Sequence, residues 1–208
     1  MRLTVFGATG GTGTEVTRQA LEAGHQVTAV VRDPARLAVP PSERLAVAPA
    51  DVTDPESIIE TLEGADAAVS ALGRRRGGPA TIRADGIRAI LSAMEKAGAR
   101  RLVAISASGM FGEPGEPPLT RHALKPLLRL LLRSAAADIR RMEELIAFSA
   151  LDWTIMRPSR LLNTPRRPYR TALDRYAGPQ IGRADLADAI LRALGDPATV
   201  AHRVNVAY

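Results

Sequence analysis

The stretch Leu3-Thr4-Val5-Phe6-Gly7-Ala8-Thr9-Gly10-Gly11-Thr12-Gly13 decides how the rest of the chain is read. Leu3 to Phe6 is a short apolar run of strand character, and the residues behind it turn with almost no side-chain bulk. A glycine-rich turn between a strand and a helix lets backbone N–H groups approach a pyrophosphate, and the helix N-terminus behind them favours negative charge. Taken alone, such a run is weak evidence, because a bare turn would also use it. Three contexts agree here: an apolar strand before it, a helical pattern after it, and a second apolar strand ending near residue 31. The reading is a dinucleotide-binding turn.

Outward from this turn, strands and helices alternate along the chain. Thr12 or Thr14 is expected to cap a helix running to Ala23, with Gly24 ending it. Gln26–Val31 and Leu45–Ala50 read as the second and third strands. Asp54-Pro55-Glu56 reads as the cap and first turn of a helix that continues through Ser57–Leu62. Ala67–Leu72 is the fourth strand, Thr81–Ala97 a helix ended by Gly98, and Arg101–Ser106 the fifth strand. A Pro/Gly loop spans Glu113 to Pro118, followed by helices around Leu119–Arg133 and Ala136–Phe148. Trp153–Met156 is a sixth strand stopped by Arg157-Pro158. Residues 159–180 read as irregular, Arg183–Leu194 as a helix and Arg203–Ala207 as a last short strand.

This alternation predicts an α/β fold, a Rossmann-like doubly wound parallel sheet in one domain over residues 1–208. Ligands in such sheets bind outside the carboxyl ends of the strands, where the strand order reverses. The residues expected to line one crevice are the glycine turn, Arg32, Asp51, Gly73–Arg76, Ser106–Ser108 and Arg157–Ser159. Segments 109–135 and 159–180 are expected to cap it on the substrate side.

Composition narrows the classes. The chain has 208 residues, 46% hydrophobic and 24% charged, enough for one buried core. No stretch approaches a membrane span, and a strand starting at residue 3 leaves no room for a cleavable targeting segment, so a cytoplasmic protein without a membrane partner is expected. Cysteine is absent, which excludes disulfides, thiolate nucleophiles and Cys-ligated metals. His25, His122 and His202 lie far apart and form no helical metal pair; no metal is expected. The net charge of +6 comes almost wholly from arginine, Lys96 and Lys125 being the only lysines. With only 3% aromatic residues the stacking platforms of single-strand binders are missing, so no nucleic-acid partner is expected and the charge is read as a lean towards phosphorylated small molecules.

Several stretches together resemble one family. They are the glycine turn, Val31-Arg32-Asp33-Pro34-Ala35-Arg36-Leu37, Asp51-Val52, Ser70-Ala71-Leu72-Gly73 and Ile105-Ser106-Ala107-Ser108. With them go the Asp138–Leu145 helix and Leu151-Asp152-Trp153-Thr154-Ile155-Met156-Arg157-Pro158. Over essentially the whole chain this set is similar to the atypical, compact short-chain dehydrogenase/reductase-like NAD(P)-binding proteins, and within them to the biliverdin reductase B / flavin reductase subgroup. The resemblance implies cofactor contacts from Gly7, Thr9, Gly10, Gly11, Thr12, Gly13, Arg32, Arg36, Asp51, Val52, Ala71, Leu72, Gly73, Arg157 and Pro158. It is much less specific for substrate, because such folds host reductases, isomerising enzymes and silent sensors.

Arg32 stands at the end of the second strand, where NAD-selecting enzymes commonly place a carboxylate. A guanidinium matches a 2′-phosphate bidentately, and the family pattern gives Arg32 and Arg36 that task. A solvated Arg32, with Asp33 on the ribose, would instead favour NAD. Asp33 is explained as the cap of a short helix at Pro34-Ala35-Arg36, so NADP(H) is the expected cofactor. In the family an Asp-hydrophobic pair like Asp51-Val52 holds the adenine edge. Asp54 already supplies a cap, which leaves Asp51 less structural work. Ala71-Leu72-Gly73 offers a small-residue edge to the cofactor ribose, although Gly73 would equally serve as a simple turn. One member of the Arg74-Arg75-Arg76 triplet is expected to reach the pyrophosphate or the substrate, with Arg75 the one placed among the cofactor contacts.

The tyrosine–lysine dyad of ordinary short-chain dehydrogenases is absent. Leu173 and Gln180 follow Tyr169 and Tyr176 by four residues, and Tyr208 ends the sequence. The Asp138–Leu145 helix, its natural place, offers Arg140, Arg141 and Glu143 instead. Reducing a ketone makes an alkoxide that needs a positioned acid, whereas a conjugated ring delocalises the charge and takes its proton from solvent. The expected activity is therefore NADPH-dependent reduction of a small conjugated acceptor such as a flavin, a quinone or a tetrapyrrole. Ser106 and Ser108, after the fifth strand, are the candidate catalytic residues, as hydrogen-bond donors or as turn serines satisfying backbone. The alternatives are a ketone reductase or sugar-nucleotide-type isomerase using Glu143 or a serine as acid, and a non-catalytic NADP(H) sensor. Monomer and dimer stay open, since helix Leu127–Leu132 packs either internally or on another subunit.

Overall fold

The computed structural model describes residues 1–75 and 77–208; Arg76, expected at the crevice, lies outside the described residues. Strand β1 (Arg2–Phe6) leads through the glycine turn into helix α1 (Gly11–Glu22) and strand β2 (Gln26–Val31). Strand β3 (Leu45–Pro49), strand β4 (Ala67–Ser70), helix α2 (Ile82–Ala97) and strand β5 (Arg101–Ile105) follow. Helices α3 (Lys125–Leu131) and α4 (Arg133–Ala147) precede strand β6 (Asp152–Pro158). Short strands β7 (Arg160–Leu162), β8 (Arg170–Leu173) and β9 (Gln180–Gly182) lead to helix α5 (Arg183–Leu194) and strand β10 (His202–Ala207).

Eight strands form one sheet in the order β3-β2-β1-β4-β5-β6-β10-β8, parallel except where β8 runs against β10. β7 and β9 form a separate parallel pair. Because both faces are covered, side chains on either side of a strand are apolar. Leu3 and Val5 of β1, with Ala67 and Val69 of β4, pack in a cluster that includes Val16 of α1 and Ile190 of α5. Phe6, Ala68 and Leu102 pack on the opposite face with Ile87 and Met94 of α2 and Met142 of α4. The order reverses at β1, with β2 and β3 on one side and β4 onward on the other, so the carboxyl ends of β1 and β4 flank a switch point.

Five local expectations are corrected. Neither Thr12 nor Thr14 caps α1: Gly10 is the cap residue without a side-chain bond, and the Thr14 hydroxyl donates to the Ala8 carbonyl at 2.9 Å. Asp54 Oδ1 accepts from the Glu56 amide at 3.2 Å, but Pro55 holds the cap position, and the helix through Leu62 is only a 3-10 turn at Glu56–Ile58 followed by further tight turns. Its amides bond three residues back (Thr61 to Ile58, Leu62 to Ile59), and the Thr4 hydroxyl takes the Thr61 carbonyl. The stretch around Leu119–Arg133 is a π-helical turn, Thr120–Leu124, running into α3, and Leu132 (φ −111°, ψ 37°) breaks it from α4. The sixth strand runs through Pro158, which pairs with Val206 of β10. Proline is tolerated there at a strand end. Residues 159–180 hold β7, β8 and the start of β9 rather than irregular chain, strands too short to rise above their prolines in the sequence.

Candidate functional site

A cleft of about 430 Å³ lies at the switch point. The glycines of the turn divide their work. Gly7 has φ +79°, and a Cβ on it would lie 2.6 Å from the Ala71 carbonyl oxygen. A Cβ on Gly13 would lie 2.2 Å from the Gly7 carbonyl oxygen, so Gly13 lets α1 sit against the turn. Gly10 differs: its amide donates to Gly7 O at 2.9 Å, and a Cβ would meet only that oxygen, at 3.3 Å. The protein itself needs Gly7 and Gly13 bare, whereas a Cβ on Gly10 would press on a single backbone oxygen only. α1 begins there with no acidic residue in its first turn, which leaves its first N–H groups to an anion. Arg183, at the start of α5, lines the cleft beside Gly11, and its Nη1 donates to Asn163 Oδ1 at 2.6 Å. Sequence reading missed it because β9 (Gln180–Gly182), whose end it follows, was not read as a strand.

Beyond β2 the cleft turns cationic. Arg32 and Arg75 line it, and Arg75 Nη2 donates to the Thr9 hydroxyl at 2.5 Å. Burial lowers the Arg75 pKa, and the nearby cations Arg36 and Arg32 lower it further, against an opposing pull from Asp33. This is a like-charge group short of an anion. The Asp33 Oδ1 accepts from the Ala35 amide at 3.1 Å, capping the 3-10 turn Pro34–Arg36 as the sequence implied. The side expected to take adenine is different. Val52, Ala71, Leu72 and Gly73 line the cleft. Asp51 stands outside the lining and has more structural work than its neighbour Asp54 implied. Its Oδ1 accepts from the Thr53 amide at 3.0 Å and the Thr53 hydroxyl at 2.8 Å, bonds that, with Arg32 nearby, hold its carboxyl below the ordinary range.

At the opposite end Ser106 lines the cleft, just past β5. Its hydroxyl donates to Oε1 of Glu143, from α4. Glu143 is held by Arg157, Nε to Oε1 at 3.0 Å and Nη2 to Oε2 at 2.5 Å. Arg157 also reaches Glu113 Oε1 at 2.9 Å, and the Asn205 amide donates to Glu113 Oε2 at 3.0 Å. The Phe111 ring stacks 3.8 Å from the guanidinium. Burial works against the Arg157 charge, but Glu143 and Glu113 outweigh it and raise its pKa. Arg157 and Pro158 are not in the cleft lining; the guanidinium is bound into this buried network. Ser108 is also outside the lining. It lies 2.9 Å from the Ser159 hydroxyl, whose own proton goes to the Gly178 carbonyl, so Ser108 is the donor of that pair.

No tyrosine or lysine lines the cleft among the described residues. The Tyr169 hydroxyl donates to Asp188 Oδ2 at 2.6 Å; burial and that carboxylate push its pKa well above the ordinary phenol value. The Tyr208 hydroxyl donates to Asp185 Oδ2 at 2.5 Å. Of the expected capping segments, Leu161 of β7 reaches the cleft and residues 109–135 supply none of its lining. No cluster of three or more metal-ligating side chains occurs among the described residues, and no helix there is long and apolar enough to cross a membrane.

The cleft therefore has the parts a nicotinamide dinucleotide needs: a bare turn on a helix N-terminus, a cationic end and a small-residue middle. The NAD(P)H-binding family model matches residues 7–197, and the chain belongs to that family. A 3-diazoavenalumate denitrifying reductase of Streptomyces is 32% identical over 175 residues, 76% of this chain and 55% of that protein. The photosystem II assembly factor Ycf39 of Synechocystis is 29% identical over 160 residues, 75% of this chain and 44% of that protein. The chain thus spans about half the length of these two curated relatives. A short-chain dehydrogenase/reductase of Veillonella parvula, solved in complex with NADP, superposes with TM-score 0.83 at 21% identity, covering 100% of this chain and 94% of that one. That likeness shows the shared Rossmann-like fold. The family match marks this as an NAD(P)H-binding protein.

Proposed function

We propose that this protein is an NADPH-dependent reductase of a small conjugated acceptor, with a free flavin as its model substrate and the flavin reductase subgroup as its nearest functional type. The observation that carries the reading is the Ser106 end of the cleft. An ion-paired carboxylate cannot donate, so the Ser106 proton is committed to Glu143, and the hydroxyl has only lone pairs left for a ligand. A ketone would find no proton there, whereas a conjugated ring needs none from the protein. A bound reduced nicotinamide would supply the hydride. The glycine turn and Arg183 would hold its pyrophosphate, Arg32, Arg36 and Arg75 a 2′-phosphate, and Val52 with Ala71–Gly73 the adenosine. The protein's share of the chemistry is then orientation and exclusion of water.

A second reading, an NADP(H)-binding regulator without turnover, is favoured by the relative named as an assembly factor. Oxidation of NADPH in the presence of free flavin or a soluble quinone separates the two. Turnover supports the reductase; tight NADPH binding with no turnover of either acceptor supports the regulator. Because NADPH is maintained inside the cell, the same proposal places the protein in the cytoplasm, acting without nucleic acid.

A further inference from the structure

The helical segment between β5 and α4 is folded inside out. Its inward side carries a charge: Lys125 is buried, its Nζ 2.5 Å from Glu116 Oε1 and donating to the Phe111 carbonyl at 2.6 Å. Its outward side carries leucines. Leu124, Leu127 and Leu131, spaced three and four apart on one face, are 59%, 55% and 71% exposed, and Leu119 and Leu130 are 77% and 60% exposed. Leu128 turns in and packs with Met110, Ala136 and Ile139. A helix bathed in water does the reverse, and a contiguous apolar patch of this kind marks a surface that is covered in use. Of the leucines in Leu127–Leu132, Leu128 packs internally while Leu127, Leu130, Leu131 and Leu132 face outward.

The charges around the patch identify what covers it. From Pro117 to Ala137 the sequence has no Asp or Glu, while Arg121, Arg129 and Arg133 lie in or beside the leucine run. A second copy docked leucine to leucine would bring these cations against each other. Their complement is a surface that is apolar within and anionic at its rim, which is the headgroup–acyl boundary of a bilayer containing anionic lipid. We propose that residues Leu119–Arg133 dock this protein on an anionic membrane surface, lying in its plane without crossing it. The Lys125 hydrogen bond to the Phe111 carbonyl and the Leu128–Met110 contact tie the segment to the turn Ser108–Met110, which starts two residues past Ser106. Docking therefore sets the Ser106 end of the cleft beside the lipid, whatever the cleft reduces.

The test is co-sedimentation of the full chain with vesicles of phosphatidylcholine alone and of phosphatidylcholine mixed with phosphatidylglycerol. Partitioning at least about tenfold stronger into the anionic vesicles, and weakened by salt, is expected. The double variant Leu127→Gln/Leu131→Gln should lose about tenfold or more of it, with unchanged thermal stability and NADPH binding because both side chains are exposed. Arg129→Glu/Arg133→Glu should remove the preference for anionic vesicles. Failure to sediment with either vesicle overturns the proposal. So does a dimer in analytical ultracentrifugation that the leucine variant dissolves, which would make a second copy the occupant. Binding to soluble polyglutamate that ignores the leucine variant also overturns it, in favour of an acidic protein.

Discussion

The Ser106 hydroxyl is hydrogen-bonded to Oε1 of Glu143, an oxygen that Arg157 Nε also holds at 3.0 Å. The serine after β5 is thereby a fixed acceptor and not a proton source, a polarity that the sequence left open. A site built this way should be insensitive to loss of that hydroxyl. Ser106→Ala should lower kcat with free flavin by no more than about tenfold, the range of one ordinary hydrogen bond. The rate should stay nearly flat from about pH 6 to about pH 8, since no protein acid would limit it. A thousandfold loss with a steep pH profile would point to general-acid chemistry and to a ketone reductase or isomerase.

Cofactor choice is decided by Arg32 and its neighbours. If the Arg32–Arg36–Arg75 group holds a 2′-phosphate, Arg32→Ala should weaken NADPH about ten- to a hundredfold, at about 1.4 kcal/mol per tenfold, and leave NADH almost unchanged. Calorimetric titration of both cofactors into both proteins measures this. Equal losses for the two would remove the 2′-phosphate assignment.

Legibility varied along the chain for physical reasons. The glycine turn, the two long helices ended by Gly98 and Gly195 and the parallel sheet were readable because period and punctuation agree there. The Glu143–Arg157–Glu113 network was not, since its members lie 14 and 44 residues apart and meet only once β6 is placed beside β5. Arg157 lay in a motif that pointed to the cofactor, yet it is bound to two carboxylates. Asp138 was read as part of a family helix; it accepts from the Ala84 amide at 2.8 Å and so caps α2 from another helix. That contact has no local signature.

The glycine turn offers a sharper test than a single substitution. Gly10→Val should give a folded protein that no longer binds dinucleotide, because Gly10 lines the cleft and the added bulk would keep a pyrophosphate from the turn. Gly13→Ala should instead destabilise the fold, since its Cβ would lie 2.2 Å from the Gly7 carbonyl oxygen. Thermal melts with and without NADPH distinguish the two. Normal NADPH affinity in a folded Gly10→Val would mean the turn does not cradle phosphate.

Asp188 gives a pH signature for stability. Burial raises its pKa, but hydrogen bonds from Tyr169 and Arg192 and the nearby Arg166 outweigh it, so the folded carboxyl titrates below its ordinary value. A depressed folded pKa stabilises above the unfolded value of about 3.9 and loses that contribution as pH falls through the folded pKa. Asp188→Asn should therefore melt below the wild type at neutral pH, and the two melting curves should converge below about pH 4. A constant gap across that range would mean the carboxylate charge contributes nothing.

The buried network should make Glu143 a stability residue as well as a neighbour of the cleft. Arg157 is 8% exposed, and the attraction of Glu143 and Glu113 outweighs the cost of burying its charge. Removing one partner of a buried pair typically costs about 3–5 kcal/mol, mostly by stranding the other charge. At about 2–4 °C per kcal/mol for a chain of this size, Glu143→Leu should lower Tm by roughly 10 °C or somewhat more. Glu143→Gln should lose less, because its amide oxygen can still accept from Arg157. Arg157→Met should also be damaging, since it takes the nearest cation from both Glu143 and Glu113, leaving Glu143 only the 3.5 Å pairing with Arg203. In a double-mutant cycle, Glu143→Leu with Arg157→Met should cost clearly less than the sum of the two single changes. If the losses simply add, or if Glu143→Leu moves Tm by less than about 2 °C, the pair is solvated in solution. The Ser106 hydroxyl would then be free to turn its proton towards the cleft, and the acceptor argument would fail with it.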